Sequence, residues 1–219
     1  MHELLLGTGP DGPRSFLFVG AHPDDIEIGC GATVRQLVAR HPDADFTWVV
    51  LTSDAVRVPE AQTAARAFLE GAGHVSVEIA EFRDGYLPFA GSEVKDWFEA
   101  LKRRCSPDVV FTPHRRDAHQ DHRLVAELTW NTFRDHMILE YEIPKFDGDL
   151  GAPNLFVEVS EAECQEKVRA ILEHFPSQAS RTWFDESVFR ALMRLRGLEC
   201  NAGTGLAEAF HSRKAVVEI

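Results

Sequence analysis

Apolar runs of strand length alternate with segments of helical period along most of this chain. Ser15–Ala21 (SFLFVGA) reads as a buried strand, and Gly31–His41 as a helix with Val34, Leu37 and Val38 on one face. Phe46–Ser53 (FTWVVLTS) predicts a second strand, followed by an Ala-rich helix from about Glu60 to Glu70 that stops at Gly71 and Gly73. Val75–Phe82 predicts a third strand, Glu93–Arg104 a helix, and Asp108–Thr112 (DVVFT) a fourth strand. A helix then starts near His119 and carries Leu124, Val125, Leu128 and Trp130. From about Asp135 to Asp149 the pattern breaks. Leu155–Val159 returns to strand character, Glu161–His174 and Glu186–Arg196 to helix, Asn201–Gly205 to loop, and Ala215–Ile219 to a last strand.

Near-continuous apolar strands alternating with helices imply parallel pairing covered on both faces. The expected fold class is therefore α/β: a Rossmann-like three-layer sandwich, its sheet mostly parallel. With no repeat, low-complexity tract or linker, residues 1–219 read as one domain, with about 135–219 as an extension that covers the substrate. Ligands in such folds bind beyond the carboxyl ends of the strands.

Composition sharpens this picture by exclusion. Of 219 residues, 44% are hydrophobic and 26% charged, which fits a globular chain rather than a disordered one. The 23 basic and 35 acidic side chains leave a formal charge of −12, no footprint for nucleic acid or an anionic membrane. Cys30, Cys105, Cys164 and Cys200 form no CxxC pair and read as reduced, structural residues. No apolar run reaches the ~18 residues of a membrane span, and the opening residues lack a secretory pattern, so the chain reads as cytoplasmic.

Two polar clusters sit directly after strands. The first, Ala21-His22-Pro23-Asp24-Asp25-Ile26-Glu27, follows the first strand and crowds ionisable groups where a divalent metal would suit an imidazole and carboxylates. A polar turn with an Asp capping the next helix is the alternative. The second, His114-Arg115-Arg116-Asp117-Ala118-His119-Gln120-Asp121-His122, follows the fourth strand. Its His119 and His122, three apart at a helix start, would face one side. Both could ligate one ion, one could ligate while the other meets substrate, or they are solvated loop residues. Two such clusters at one sheet edge favour a shared site.

His22-Pro23-Asp24-Asp25 with Glu27, and His119-Gln120-Asp121-His122 about a hundred residues later, resemble the motifs of the PIG-L/LmbE deacetylase family. Leu51-Thr52-Ser53, Arg57-Val58-Pro59-Glu60 and Arg83-Asp84-Gly85-Tyr86-Leu87 agree with it, and the likeness covers about residues 15–130. The resemblance implies that His22, Asp25 and His122 bind zinc, that Asp24 is the general base, and that a protonated His119 stabilises the transition state. It implies Arg57 and Glu60 as a pair that contacts sugar hydroxyls, an exposed ion pair at the helix start being the alternative; Asp84 and Glu142 are further candidate substrate contacts, and Asp121 is a candidate acceptor that orients His119. Asp117 stands where some members have a tyrosine.

The implied activity is zinc-dependent removal of an N-acetyl or other N-acyl group from an amino sugar or its conjugate. The expected partner is that small molecule, with no nucleic acid and no membrane insertion; a homo-oligomer is left open. Two other readings are an amidase on a non-sugar conjugate, such as an acylated antibiotic or thiol, and a metal- or sugar-binding module without turnover. Glu142, Lys145 and Asp147 lie in the irregular stretch that either walls the substrate or forms a plain surface loop. Gly29-Cys30-Gly31 lacks the third glycine of a dinucleotide fingerprint; its glycines instead let helix and strand approach closely.

Overall fold

The structure, a computed structural model, describes residues 12–216. Its centre is a seven-stranded sheet of order β3-β2-β1-β4-β5-β7-β6. Strands β1 (Ser15–Gly20), β2 (Asp45–Thr52), β3 (His74–Phe82), β4 (Val109–Pro113) and β5 (Met137–Tyr141) run parallel. Strands β6 (Leu155–Glu158) and β7 (Ala207–Ser212) close the far edge, β7 antiparallel to both of its neighbours. Helices α1 (Asp25–Arg40), α2 (Arg57–Phe68), α3 (Gly91–Lys102), α4 (Gln120–Thr132), α5 (Glu161–His174) and α6 (Glu186–Glu199) supply the outer layers.

Strand periodicity explains the layering. Phe16 and Phe18 of β1 face a core shared with α1, α2, α5 and α6, whereas Leu17 and Val19 face α3 and α4. Because α1 leaves β1 on one face and α4 leaves β4 on the other, a crevice opens between two adjacent strands at their carboxyl ends. Both polar clusters empty into it.

The structure departs from the sequence pattern in the last third. The stretch expected to be irregular contains β5, whose short MILEY run holds too few residues for its period to show. The final strand is Ala207–Ser212, not Ala215–Ile219; residues 214–216 are irregular, and 217–219 lie outside the described residues. α1 also begins six residues earlier than expected, directly after Asp24, because it is two helices merged across a break at Cys30 (φ −147°).

That break is held by the distant last strand. Glu208 of β7 accepts from the backbone N–H groups of Ala32 (2.9 Å) and Thr33 (2.7 Å) and from the Thr33 hydroxyl, so its carboxylate caps the second half of α1. Lys167 of α5 donates to the Ile28 carbonyl (2.7 Å) and to Glu208 (2.6 Å). Both charges are almost fully buried. The glycine before the break is required by space: a Cβ on Gly29 would sit 2.2 Å from the ring of Tyr141, whose hydroxyl is tied to the Val19 carbonyl. Removing one partner of a buried pair strands the other charge. Glu208→Ala should therefore cost about 3–5 kcal/mol in urea unfolding. The double variant Glu208→Ala/Lys167→Met should recover part of that loss, which a double-mutant cycle with the two single variants reads.

Candidate active site

Each side chain in the crevice is aimed by local backbone. Asp24 has φ +91°, a left-handed conformation uncommon for any residue but glycine. It turns Asp24 and Asp25 apart. Asp24 occupies the first position before α1 but makes no side-chain cap, so the capping alternative is not what this turn is for. Asp25 Oδ2 instead accepts from the N–H groups of Ala21 and His22, both at 2.8 Å, which leaves Oδ1 facing His122.

His22 and His122 arrive from different strands and meet. His22 Nδ1 lies 3.0 Å from His122 Nε2, His122 Nε2 lies 3.4 Å from Asp25 Oδ1, and His22 Nδ1 lies 3.6 Å from Asp25 Oδ2. All three residues are buried. Their opposite edges are braced by carboxylates. His22 Nε2 faces Asp84 (3.1 Å) and Asp121 (3.3 Å), and His122 Nδ1 faces Asp117 Oδ2 at 2.9 Å, though poorly aligned for a hydrogen bond.

This donor set fits a divalent transition metal. Tetrahedral zinc with bonds of about 2.0–2.1 Å separates its ligand atoms by roughly 3.3 Å, close to the spacings here. Electrostatics points the same way. Burial opposes charge on His22, yet Asp25 and hydrogen bonds to Asp121, Asp25 and Asp84 raise its pKa well above the ordinary imidazole value. Burial likewise opposes charge on His122, but Asp25 and Asp117 lift it to about 9. Asp25 stays well below the usual carboxylate range because, against burial, His122 and His22 stabilise its anion. The carboxylates thus create a place that favours positive charge. His22, His119 and His122 also bring ring nitrogens within 4.8 Å of one another.

Asp24 stands beside this group. Burial pushes its pKa up to about 7, reinforced by Asp25 and countered by Arg57, whose Nη2 lies 3.1 Å from Asp24 Oδ2. His119 caps α4: its Nδ1 accepts from the Asp121 N–H at 3.3 Å. Burial and the neighbouring His22 and His122 lower its pKa. With Nδ1 accepting, a ring that carries one proton holds it on Nε2, where it can be donated. A cavity of about 220 Å³ opens at the crevice, lined by Thr52, Ser53, Arg57, Arg83 and Asp84 among others.

The structure therefore brings together His22, Asp24, Asp25, Arg57, Asp84, His119, Asp121 and His122. It sets two expected substrate contacts apart. Glu60 accepts from the N–H and hydroxyl of Ser177 after α5. Glu142 is buried, bonded to Arg196, the Gly151 N–H and His211, so its oxygens are already engaged. The Asp121 carboxylate is corrected too: it braces His22 and accepts from the Gly85 and Leu87 N–H groups, while only the Asp121 backbone meets His119. Asp117 was the residue that sequence reasoning missed. A histidine ligand needs an acceptor on its second nitrogen, and an acidic residue in the same loop was the available signal.

A model of the PIG-L family, described as GlcNAc-PI de-N-acetylase, matches residues 17–133, just over half of the 219. The chain belongs to the PIG-L family. "Uncharacterized deacetylase YaiS" of Escherichia coli K12 is 30% identical over 174 residues, 74% of this chain and 90% of that one. Among solved structures, N,N'-diacetylchitobiose deacetylase from Pyrococcus horikoshii, complexed with an inhibitor, matches with TM-score 0.70 at 22% identity, covering 91% of this chain and 84% of that one. GalB of Pseudomonas putida KT2440, a 4-carboxy-2-hydroxymuconate hydratase, matches with TM-score 0.74 at 18% identity over 94% and 98% of the two chains. These two likenesses establish the fold alone; membership in the PIG-L deacetylase family rests on sequence. Among the described residues no helix is long and apolar enough to cross a membrane.

At the start of the second cluster, His114 stacks on His211 with ring centroids 3.8 Å apart. Burial, then His211, lowers its pKa to about 4. In the unfolded chain a histidine titrates near 6.5. Between pH 6.5 and 4 the unfolded state therefore binds the extra proton, and stability should fall as pH drops through that window. NMR titration should place the His114 transition near pH 4, and His114→Phe should flatten the pH dependence of unfolding.

Proposed function

We propose that this protein is a zinc-dependent N-deacetylase acting on an N-acetylated amino sugar or sugar conjugate. The observation that carries the reading is the convergence of His22, Asp25 and His122 within 3.6 Å, with Asp24 beside them and not consumed by them. His22, Asp25 and His122 would hold the ion. When bound, such an ion makes water far more acidic and polarises an amide carbonyl.

The chain's own groups supply the rest. Asp24, with its pKa near neutrality, takes a proton from the attacking water and later gives it to the leaving amine. Arg57 holds the Asp24 carboxylate through the guanidinium contact at 3.1 Å. His119, neutral and carrying its proton on Nε2, donates to the carbonyl oxygen as negative charge gathers there. Asp84, with its side chain 65% exposed beside His22, is placed to accept from sugar hydroxyls in the cavity. We assign residues 1–219 to one catalytic domain, in which the last third braces the crevice. Deacetylases among its relatives support the reaction class; the hydratase GalB shares the fold, so the choice of chemistry rests on these residues.

Asp24→Asn retains a residue that tolerates the left-handed turn. It should lower kcat about 10²–10⁴-fold in an assay of acetate release from N-acetyl amino sugars with zinc supplied. Activity within a few fold of wild type would remove Asp24 as the base. His122→Ala should lose the metal by elemental analysis, and stoichiometric zinc in that variant would remove His122 from the ligand set.

A further inference from the structure

Residues 142–151, after β5, fold as a strap against the β4–α4 loop. Lys145 is its inner anchor: the side chain is only 12% exposed, with Nζ 2.8 Å from Asp117 Oδ2 and 2.7 Å from Asp149 Oδ2. The strap closes on itself through this pair, since Lys145 also donates to the Ile143 carbonyl and Gly148 makes the turn with φ +60°. Asp149 then fixes the loop beneath by accepting from the Ala118 N–H.

Asp117 is the point where the strap meets the site. Its Oδ1 accepts from the His119 N–H at 2.7 Å, and its Oδ2 faces His122 Nδ1 at 2.9 Å. One buried carboxylate thus sets both histidines of the second cluster: the backbone entry of His119 and the ring of His122. The backbone N–H anchors Oδ1 but leaves Oδ2, which faces His122 out of line, to be held by another donor. The Lys145 ammonium supplies a third, charged contact on Oδ2, the same oxygen that faces His122.

We propose that Lys145 is a positioning residue for the metal centre, acting through Asp117 to hold His122 and His119 in register. The inference rests on the zinc-hydrolase reading above. Lys145 itself is turned into the loop, where its ammonium meets Asp117, Asp149 and the Ile143 carbonyl. Its contribution is to keep the acceptor behind His122 in one orientation, so that Nε2 points at His22 and Asp25. Without it, Asp117 keeps its charge and its bond to the His119 N–H but loses the cation that orders it.

The test uses the full chain, stripped of metal and titrated with zinc against a chromophoric chelator, together with the visible spectrum of the cobalt-loaded protein. Lys145→Met should bind zinc about 10–100-fold more weakly. It should also shift the cobalt absorption band and lower kcat with KM changed less than twofold. Lys145→Arg, which keeps a cation at Asp117, should restore most of the affinity and the wild-type band. A merely structural lysine would lower the melting temperature without moving the cobalt spectrum. Zinc affinity within twofold of wild type and an unshifted band in Lys145→Met overturn the inference and leave the functional reading standing. A wild-type protein that binds no zinc overturns both. If Lys145→Met does not fold, the same readings on Lys145→Gln decide, because it removes the charge while keeping a donor.

Discussion

Everything at the crevice depends on β1 and β4 lying side by side in one parallel sheet. The pairing of Phe16, Leu17 and Phe18 with Val109, Val110 and Phe111 puts two strand ends at the same height. Residues a hundred positions apart then share one pocket, and His22 and His122 come within 3.0 Å. Neither cluster could do this alone. His22, Asp24 and Asp25 have only each other, Arg57 and Asp84 as charged partners until the β4–α4 loop delivers His119, Asp121 and His122.

Such crowding is expensive. Buried carboxylates and imidazoles forgo water, and each needs a partner. The protein meets the demand with backbone as much as with side chains: two N–H groups on Asp25, two on Asp121, one on Asp117. Backbone donors are rigid, so they fix the direction of each carboxylate as well as its charge. What they leave is Asp25 Oδ1 facing His122, a carboxylate charge set beside the two imidazoles.

The sequence made the first half of this legible and the last third obscure, for a physical reason. Strands β1, β2 and β4 are largely buried between helical layers, so they read as apolar runs, and the clusters after β1 and β4 stood out; β3, at the sheet edge, is half-exposed. Strand β5 carries Glu140, which bonds to Trp130 and the Arg115 N–H, and β7 carries Glu208, which serves α1. Buried acids with distant partners break an apolar pattern that only the folded chain explains. For the same reason Glu142 looked like a substrate contact until Arg196 was seen across from it. Asp117 and Lys145, 28 positions apart, gave no local signal of the bridge between them.

The cap on the broken helix α1 carries a temporal consequence. Ala32 and Glu208 are separated by 176 positions, and Lys167 by 139 from the carbonyl it satisfies. During vectorial synthesis the segment bearing His22 and Asp25 emerges early, yet it waits for almost the entire polypeptide before its break is secured. A ribosome-bound nascent chain would hold the first motif without the clasp, so the motif takes its shape only with the arrival of β7.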